Sequence, residues 1–187
     1  SGPGQNEIDF RHADPLTAAD NAVTFQAVVR TIAAQYGLWA DFSPRPLADK
    51  DGSGMHINLS AAGPGKPDPM PQLIAGILGR AREMTLFMNP VKNSYDRLGR
   101  DKAPRFVTWS RENRSQLIRI PAAEGEFRRL ELRSPDPAAN PYLAFALVIY
   151  AGLEGLALGL EPPAPTNVNI LAAGETRLRD LEQLTRT

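Results

Sequence analysis

Hydrophobic residues recur at helical spacing in three long stretches of the chain. The first stretch starts at Asp14-Pro15, a pair typical of a helix cap followed by the first helical position, and it predicts a helix over residues 15–36. The second predicts a helix over 71–88, and the third, which follows Asn140-Pro141, predicts a helix over 141–160.

The third stretch is apolar almost all round. Its length is compatible with a membrane span, but Glu154 interrupts it, glycines dilute its second half and no basic cluster flanks it. We therefore expect a helix that is buried under a sheet.

Alternating polar and apolar residues predict strands over 4–11, 55–60, 116–121 and 128–133. A two-glycine turn at residues 51–54 precedes the second strand, and another turn is expected at 122–127. Irregular or exposed segments are expected at 38–50, 61–71 and 93–104, and a short amphipathic tail is expected from residue 174.

The strand over 128–133 carries the clearest candidate chemistry. Arg129, Glu131 and Arg133 share one face of it, and leucines occupy the other face. A solvated edge strand is the ordinary explanation of such a pattern. However, a carboxylate between guanidiniums is typical of a phosphate and metal site, prolines end the strand sharply, and an apolar helix follows. We therefore expect a central strand that forms part of a site.

The amino-acid composition limits the partners and the metal ligands that the chain could use. The chain has 187 residues, with 21 Lys and Arg against 21 Asp and Glu, so no general basic field favours binding to nucleic acid or to a membrane surface. It has no cysteine and only two histidines, so a metal site would be mostly carboxylate, which favours Mg²⁺ or Mn²⁺.

Two further sets of residues could join such a site. His56, Asn58 and Ser60 share the polar face of the second strand, where His56 is either a metal ligand or a structural group. Five arginines could bind a carboxylate and a polyphosphate if they cluster on one cleft, and would only solubilise the surface if they are scattered. They are Arg97, Arg114, Arg119, Arg129 and Arg133.

Six short motifs, in order along the chain, resemble those of the glutamine synthetase catalytic domain. They are Gly4-Gln5-Asn6-Glu7, Asp51-Gly52-Ser53-Gly54-Met55-His56, Asn93-Ser94-Tyr95-Asp96-Arg97-Leu98, Asn113-Arg114-Ser115, Ile118-Arg119-Ile120-Pro121, and the stretch from Arg129 to Tyr142. Each motif is weak alone, but six in order make a chance match very improbable.

The resemblance implies an α+β domain with a curved, largely antiparallel sheet. It also implies a cytoplasmic ligase that forms ring-shaped homo-oligomers with shared active sites and uses two Mg²⁺ or Mn²⁺ ions. ATP would phosphorylate the γ-carboxylate of glutamate, and ammonia would then displace the phosphate.

The resemblance also implies roles for single residues. Glu7 would bind one metal, and His56 and Glu131 would bind the other. Arg97, Arg133 and the Gly52 backbone would bind glutamate, and Asn58, Ser60, Arg119 and Arg129 would bind the nucleotide. Arg114 and Arg119 would stabilise the transferred phosphoryl group.

Three positions depart from the family pattern. Lys102 occupies the place of a loop glutamate that helps to take a proton from ammonium, a task for which Asp101 could substitute. Asn58 stands where many members have a second histidine, and Asp51 where many have asparagine. A ligase that acts on polyamines or monoamines is therefore an alternative, as is a degenerate homologue that only binds glutamate or nucleotide.

The chain starts without methionine and inside the family pattern. We expect residues 1–187 to be a single domain, part of the catalytic domain, with the family's small β-rich N-terminal domain absent. We also expect the fragment to be inactive alone, because the family's other metal carboxylates lie upstream of Ser1.

Overall fold

The computed structural model describes residues 2–61, 68–122, 125, 128–170, 172–173, 178–179 and 181–185. Within them, helices and strands alternate irregularly along the chain. In order they are α1 (Pro15–Gln35), β1 (Ile57–Leu59), α2 (Met70–Met88), α3 (Lys92–Arg97), β2 (Trp109–Arg111), β3 (Ile118–Ile120), β4 (Leu130–Leu132) and α4 (Pro141–Ala157).

The four strands form one sheet in the order β1-β4-β3-β2. β4 pairs antiparallel with β1 and with β3, whereas β2 pairs parallel with β3. The expected α+β fold with a largely antiparallel sheet is confirmed, and the 128–133 segment is central rather than an edge. β2 was not predicted, because three residues of mixed character show no readable alternation.

One face of the sheet is apolar and packs on α2. Ile118, Leu130 and Leu132 are buried there together with Ile74 and Ile77 of the helix. This packing leaves the opposite face of the sheet free to carry polar side chains.

The first two long helices begin and end within one residue of their predicted bounds. The Asp14 side chain caps α1 by accepting hydrogen bonds from the nitrogens of Leu16 and Thr17, each at 3.1 Å. Only Ala19 of α1 is buried, and Ile32 and the capping residue Tyr36 are exposed.

Helices α2 and α4 cross at very short range because glycines meet at the contact. A Cβ atom on Gly155 would overlap the carbonyl oxygen of Gln72 and lie 2.9 Å from the nitrogen of Gly76. The glycines that looked like dilution of an apolar helix therefore permit backbone to pack on backbone.

The prediction that the third helix is buried and extends to residue 160 was wrong. α4 ends at Ala157, and it faces α2 with small residues such as Ala144, Val148 and Gly152. Several of its larger apolar side chains point away, so Leu143, Tyr150 and Leu153 are 51%, 75% and 54% exposed, whereas Phe145 and Leu147 pack against the core. Among the described helices, none is both long and apolar enough to cross a membrane.

Three local predictions also need correction. Residues 4–11 form no strand; Gln5 instead donates a hydrogen bond to the Gly52 carbonyl oxygen at 3.1 Å. Residues 51–54 form no turn, and Ser53 N donates to the Pro44 carbonyl oxygen at 2.8 Å. The segment 93–104 is not simply an exposed loop, because it starts in α3, where Ser94 and Arg97 are buried.

The irregular segment at 38–50 is as predicted. Most of the predicted loop at 61–71 and turn at 122–127, and part of the predicted tail from 174, lie outside the described residues. Of that tail, Gln183 bridges Phe106 and the nitrogen of Leu184 donates to the carbonyl oxygen of Arg105.

Candidate active site

A row of four polar residues crosses the sheet, one from each strand. Asn58 of β1 lies opposite Glu131 of β4, Glu131 lies opposite Arg119 of β3, and Arg119 lies beside Ser110 of β2. Because side chains alternate between the faces of a strand, residues in register share one face. The row therefore brings candidate residues from four separate strands together on one surface.

Glu131 is the centre of this surface. Its Oε1 atom accepts a hydrogen bond from Arg133 Nη1 at 2.6 Å and lies 3.1 Å from His56 Nδ1. Its Oε2 atom lies 3.0 Å from Arg119 Nη1 as an ion pair. The side chain is only 9% exposed, so these contacts take place largely out of water.

The surroundings of Glu131 keep it ionised. Burial by itself raises the pKa of this carboxyl, but the hydrogen bond from His56 and the charges of Arg133 and Arg119 lower the pKa to about 2. Glu131 is therefore a permanent anion near neutral pH, as a metal ligand requires.

Three buried atoms of the row have no hydrogen-bond partner among the described residues. They are Ser110 Oγ, Arg119 Nε and Glu131 Oε2, whose contact with Arg119 is not aligned as a hydrogen bond. Buried polar atoms without partners are uncommon, and they indicate a position where a ligand or ordered water can bind. A carboxylate oxygen suits a divalent cation, and a guanidinium nitrogen suits a phosphate.

His56 and Glu131 fit part of a Mg²⁺ or Mn²⁺ site. No group of three or more His, Asp or Glu side chains converges within the ranges that the structure describes. Mg²⁺ is usually held by one or two carboxylates together with water and substrate phosphates, so a two-residue donor set is sufficient on the protein side.

Arg133 joins the Glu131 cluster to the neighbouring loops. Its Nε donates to the carbonyl oxygen of Arg114 at 2.9 Å, and its Nη2 lies 3.5 Å from the carbonyl oxygen of Lys102. Burial lowers the pKa of the Arg133 guanidinium, and the charge of Glu131 opposes this shift. Arg133 thus fixes the loop that carries Arg114 relative to Glu131.

Arg97 lies beneath the exit of β4 and contacts backbone. It is 3% exposed, and its two terminal nitrogens donate to the carbonyl oxygens of Ser134 at 2.7 Å and Arg133 at 3.2 Å. Burial lowers the pKa of Arg97 to about 10, while the charge of Asp136 acts in the opposite direction. The direct contact with glutamate that the resemblance implied for Arg97 and Arg133 stays a prediction.

Gly52 and Gly54 leave room for the side chains of the site. A Cβ atom on Gly52 would lie 2.7 Å from the Pro44 carbonyl oxygen and 2.9 Å from Arg97 Cγ. One on Gly54 would lie 2.7 Å from His56 Nε2 and 2.8 Å from Arg97 Nη2. The glycines that suggested a turn are therefore needed for close approach.

A cleft of about 500 Å³ adjoins this cluster. It has carboxylate, cationic and amide side chains in its wall, and its size suits a small ligand. It is lined by Asp51, Asp101, Lys102, Asn113, Arg114, Ser115 and Asn169.

Of the remaining predicted site residues, Arg129 contacts the row and Asp101 lines the cleft. Arg129 donates to Asn58 Oδ1 at 3.0 Å, on the β1 side of the row. Asp101, with a left-handed φ of 54°, pairs with Arg45 Nη1 at 3.1 Å. Ser60 is half-buried just after β1, and Glu7 is exposed, two residues after Gln5.

Ser110 and Asn169 were missed from the sequence. Ser110 is fully buried in the polar row and its hydroxyl has no partner among the described residues, but it lies on the unpredicted β2. Asn169 lies far along the chain after a proline-rich break. The Asn113-Arg114-Ser115 motif, which contacts the residues on either side of Asn169, was the only available signal.

Comparison with known proteins shows which family the chain resembles. The family model described as "Glutamine synthetase, catalytic domain" matches residues 1–187. The glutamine synthetase of Methanosarcina mazei is 51% identical over 181 residues, covering 90% of this chain and 40% of that protein. That of Clostridium saccharobutylicum is 44% identical over 190 residues, covering 95% of this chain and 43% of that protein.

Solved structures of related proteins also resemble the structure of this chain. GmaS in complex with ADP superposes with a TM-score of 0.82 at 33% identity, covering 94% of this chain and 44% of that one. The glutamine synthetase of Plasmodium falciparum gives a TM-score of 0.78 at 27% identity, covering 83% of this chain and 33% of that one. The chain spans about two-fifths of the length of the curated relatives above. Because the catalytic-domain model matches all 187 residues of this chain, the chain belongs to the glutamine synthetase family.

Proposed function

We propose that residues 1–187 form the part of an ATP-dependent carboxylate–amine ligase that holds the nucleotide phosphates and glutamate. The observation that carries this proposal is the buried Glu131 carboxylate, which His56, Arg119 and Arg133 surround within 3.1 Å. A carboxylate held ionised beside phosphate-binding cations is the arrangement that phosphoryl transfer requires.

The proposed reaction has two steps. An oxygen of the glutamate γ-carboxylate attacks the γ-phosphorus of ATP, and the bond between that phosphorus and the ADP oxygen breaks. The amine nitrogen then attacks the acyl carbon, loses a proton, and phosphate leaves to give the γ-glutamyl amide. With ammonia as the amine, the product is glutamine.

Each group of residues has a proposed part in this reaction. His56 and Glu131 would hold one Mg²⁺ or Mn²⁺ ion, and Glu7 would contribute to a second. A divalent cation bound there neutralises phosphate charge. Arg119, whose buried Nε has no hydrogen-bond partner in the described part of the chain, binds phosphate oxygens, and Arg129 binds the nucleotide beside Asn58 and Ser60.

The cleft next to this cluster is the proposed glutamate site. Arg114 lines it, and its carbonyl oxygen accepts a hydrogen bond from Arg133 Nε. We assign to its guanidinium the stabilisation of the transferred phosphoryl group. Asp101 lines it as well and is the proposed acceptor of the amine proton. The Gly52 backbone is proposed to contact the bound glutamate.

An amine other than ammonia is a second candidate for the last substrate. Asp51 and Lys102, two of the positions that depart from the family pattern, both line the cleft. GmaS, one of the structural relatives, was solved with ADP, which supports nucleotide binding by this scaffold and leaves the amine open.

The test is phosphate release by the native-length protein, measured with glutamate and with ammonium, short monoamines or polyamines in turn. The proposal predicts release that needs ATP, divalent metal, glutamate and one of these amines. Release that is independent of glutamate would contradict it, and the preferred amine chooses between the two candidates. We also propose that residues 1–187 alone form no glutamine, and ATP-dependent glutamine formation by this chain would refute that.

A further inference from the structure

Residues 163–170 form a strap that returns from α4 to the sheet. At its start, Trp109 Nε1 donates to the carbonyl oxygen of Pro163 at 2.7 Å, and the nitrogen of Thr166 donates to the carbonyl oxygen of Trp109 at 2.8 Å. The strap therefore follows β2, on the side of the sheet where the loop with Arg114 begins.

The end of the strap is fixed by three side chains of that loop. The carbonyl oxygen of Val168 accepts from Asn113 Nδ2 at 3.1 Å and from Gln116 Nε2 at 2.8 Å. The nitrogen of Ile170 donates to Ser115 Oγ at 3.1 Å. Gln116 is fully buried and Ser115 is 3% exposed, so water competes little for these bonds.

These bonds hold the residues on both sides of Asn169, and Asn169 lines the cleft. A primary amide both donates and accepts hydrogen bonds, so it can contact a carboxylate or an ammonium group. The rest of the wall carries charges of both signs, from Asp51 and Asp101 and from Lys102 and Arg114. A wall of this kind suits a zwitterionic amino acid better than a purely anionic ligand.

We propose that Asn169 contacts the amino-acid substrate of the ligase, and that Gln116 and Ser115 position it by holding the strap. The proposal rests on the proposed function, because it assigns Asn169 to the glutamate site of that reaction. Asn169 is a binding residue in this scheme, and Gln116 acts only through the strap.

The test compares Asn169→Ala with Asn167→Ala in the native-length protein. Asn167 is exposed on the same strap but does not line the cleft, so it is a matched control. Loss of a hydrogen bond to a charged group corresponds to about a tenfold to hundredfold rise in KM for glutamate. We expect that rise for Asn169→Ala, with the KM for ATP changed by less than about twofold, and no change for Asn167→Ala.

Gln116→Leu tests the positioning role. Leucine fills the buried space without the Nε2 donor, so we expect a higher KM for glutamate, an unchanged KM for ATP and faster hydrogen exchange at the Ile170 amide. If exchange at Ile170 rises while the KM for glutamate stays constant, the strap does not position the substrate contact and this part is overturned.

The outcomes separate the two proposals. If the unmodified protein has no glutamate-dependent ligase activity, both the proposed function and the role of Asn169 fail. If it is active and Asn169→Ala has the same KM for glutamate as Asn167→Ala, only the role of Asn169 is overturned.

Discussion

Replacing Gly76 by alanine tests whether α2 and α4 pack backbone to backbone. A Cβ atom at this position would overlap the carbonyl oxygen of Ala151 and lie 2.8 Å from the nitrogen of Gly155. Its three nearest neighbours are all backbone atoms, so no side-chain rotation can relieve the overlap. The helices would have to separate.

The expected loss of stability follows from two opposing effects. Overpacking of a close contact costs up to about 3 kcal/mol. Alanine regains about 1 kcal/mol of helix propensity relative to glycine. We therefore expect Gly76→Ala to lower the free energy of unfolding by about 2 kcal/mol.

Gly79→Ala is the matched control. Gly79 lies three positions further along the same helix and is exposed, and apart from its chain neighbours and the backbone of its own helix no atom lies within 4 Å of the position that an added Cβ would take. Only the propensity gain applies, so this variant should be more stable than the parent by up to about 1 kcal/mol.

Urea and thermal unfolding, followed by circular dichroism, measure both variants. A difference of about 3 kcal/mol between them corresponds to roughly 6–12 °C in Tm for a domain of this size. Equal stability of the two variants would refute the close packing of α2 on α4.

Two further predictions concern the site and its support. Glu131→Gln removes a buried anion that contacts two guanidiniums and an imidazole, so it should lower the free energy of unfolding by about 3 kcal/mol and reduce metal-dependent ATP affinity at least about tenfold; Glu83→Gln, in an exposed ion pair with Arg80, should change neither. Because the pKa of Glu131 falls from 4.5 to about 2 on folding, its contribution is present above pH 4.5 and is lost as the pH falls toward 2. Metal-free acid unfolding should therefore be less steep over this range in Glu131→Gln, and an identical pH profile would contradict the burial of this anion. Asn89→Ala should cost about 3 kcal/mol in urea unfolding, because the Asn89 amide donates to Ser134 O and to the fully buried Asp136, each at 2.8 Å; a loss below about 0.5 kcal/mol would show that this support is not needed.

Local rules of sequence predicted those parts of the fold in which one residue decides the structure. Asp14 caps α1 as predicted, and Asn140 caps α4 by accepting from the nitrogens of Tyr142 and Leu143. The alternation in 128–133 identified β4 and placed Glu131 on its polar face. These features depend on spacing of one to four residues, which a sequence displays directly.

Features that depend on distant contacts could not be predicted in this way. The exposure of α4 follows from glycines that draw its other side onto α2, and hydrophobicity alone does not show which side that is. The burial of Arg97 depends on carbonyl groups 36 and 37 residues away. The position of Asn169 in the cleft wall depends on hydrogen bonds that join its neighbours Val168 and Ile170 to residues 52 and 55 positions earlier in the chain. Tertiary packing fixed each of these, and no local pattern encodes it.

Calorimetric titration of ATP into residues 1–187, with and without Mg²⁺ or Mn²⁺, is the most direct test of the central claim. That claim is that His56, Glu131, Arg119 and Arg129 form a metal-dependent nucleotide site. We expect ATP to bind in the presence of the metal and to bind at least about tenfold more weakly after its removal by EDTA. Equal ATP affinity with and without metal, or the same metal dependence in Glu131→Gln, would contradict the account.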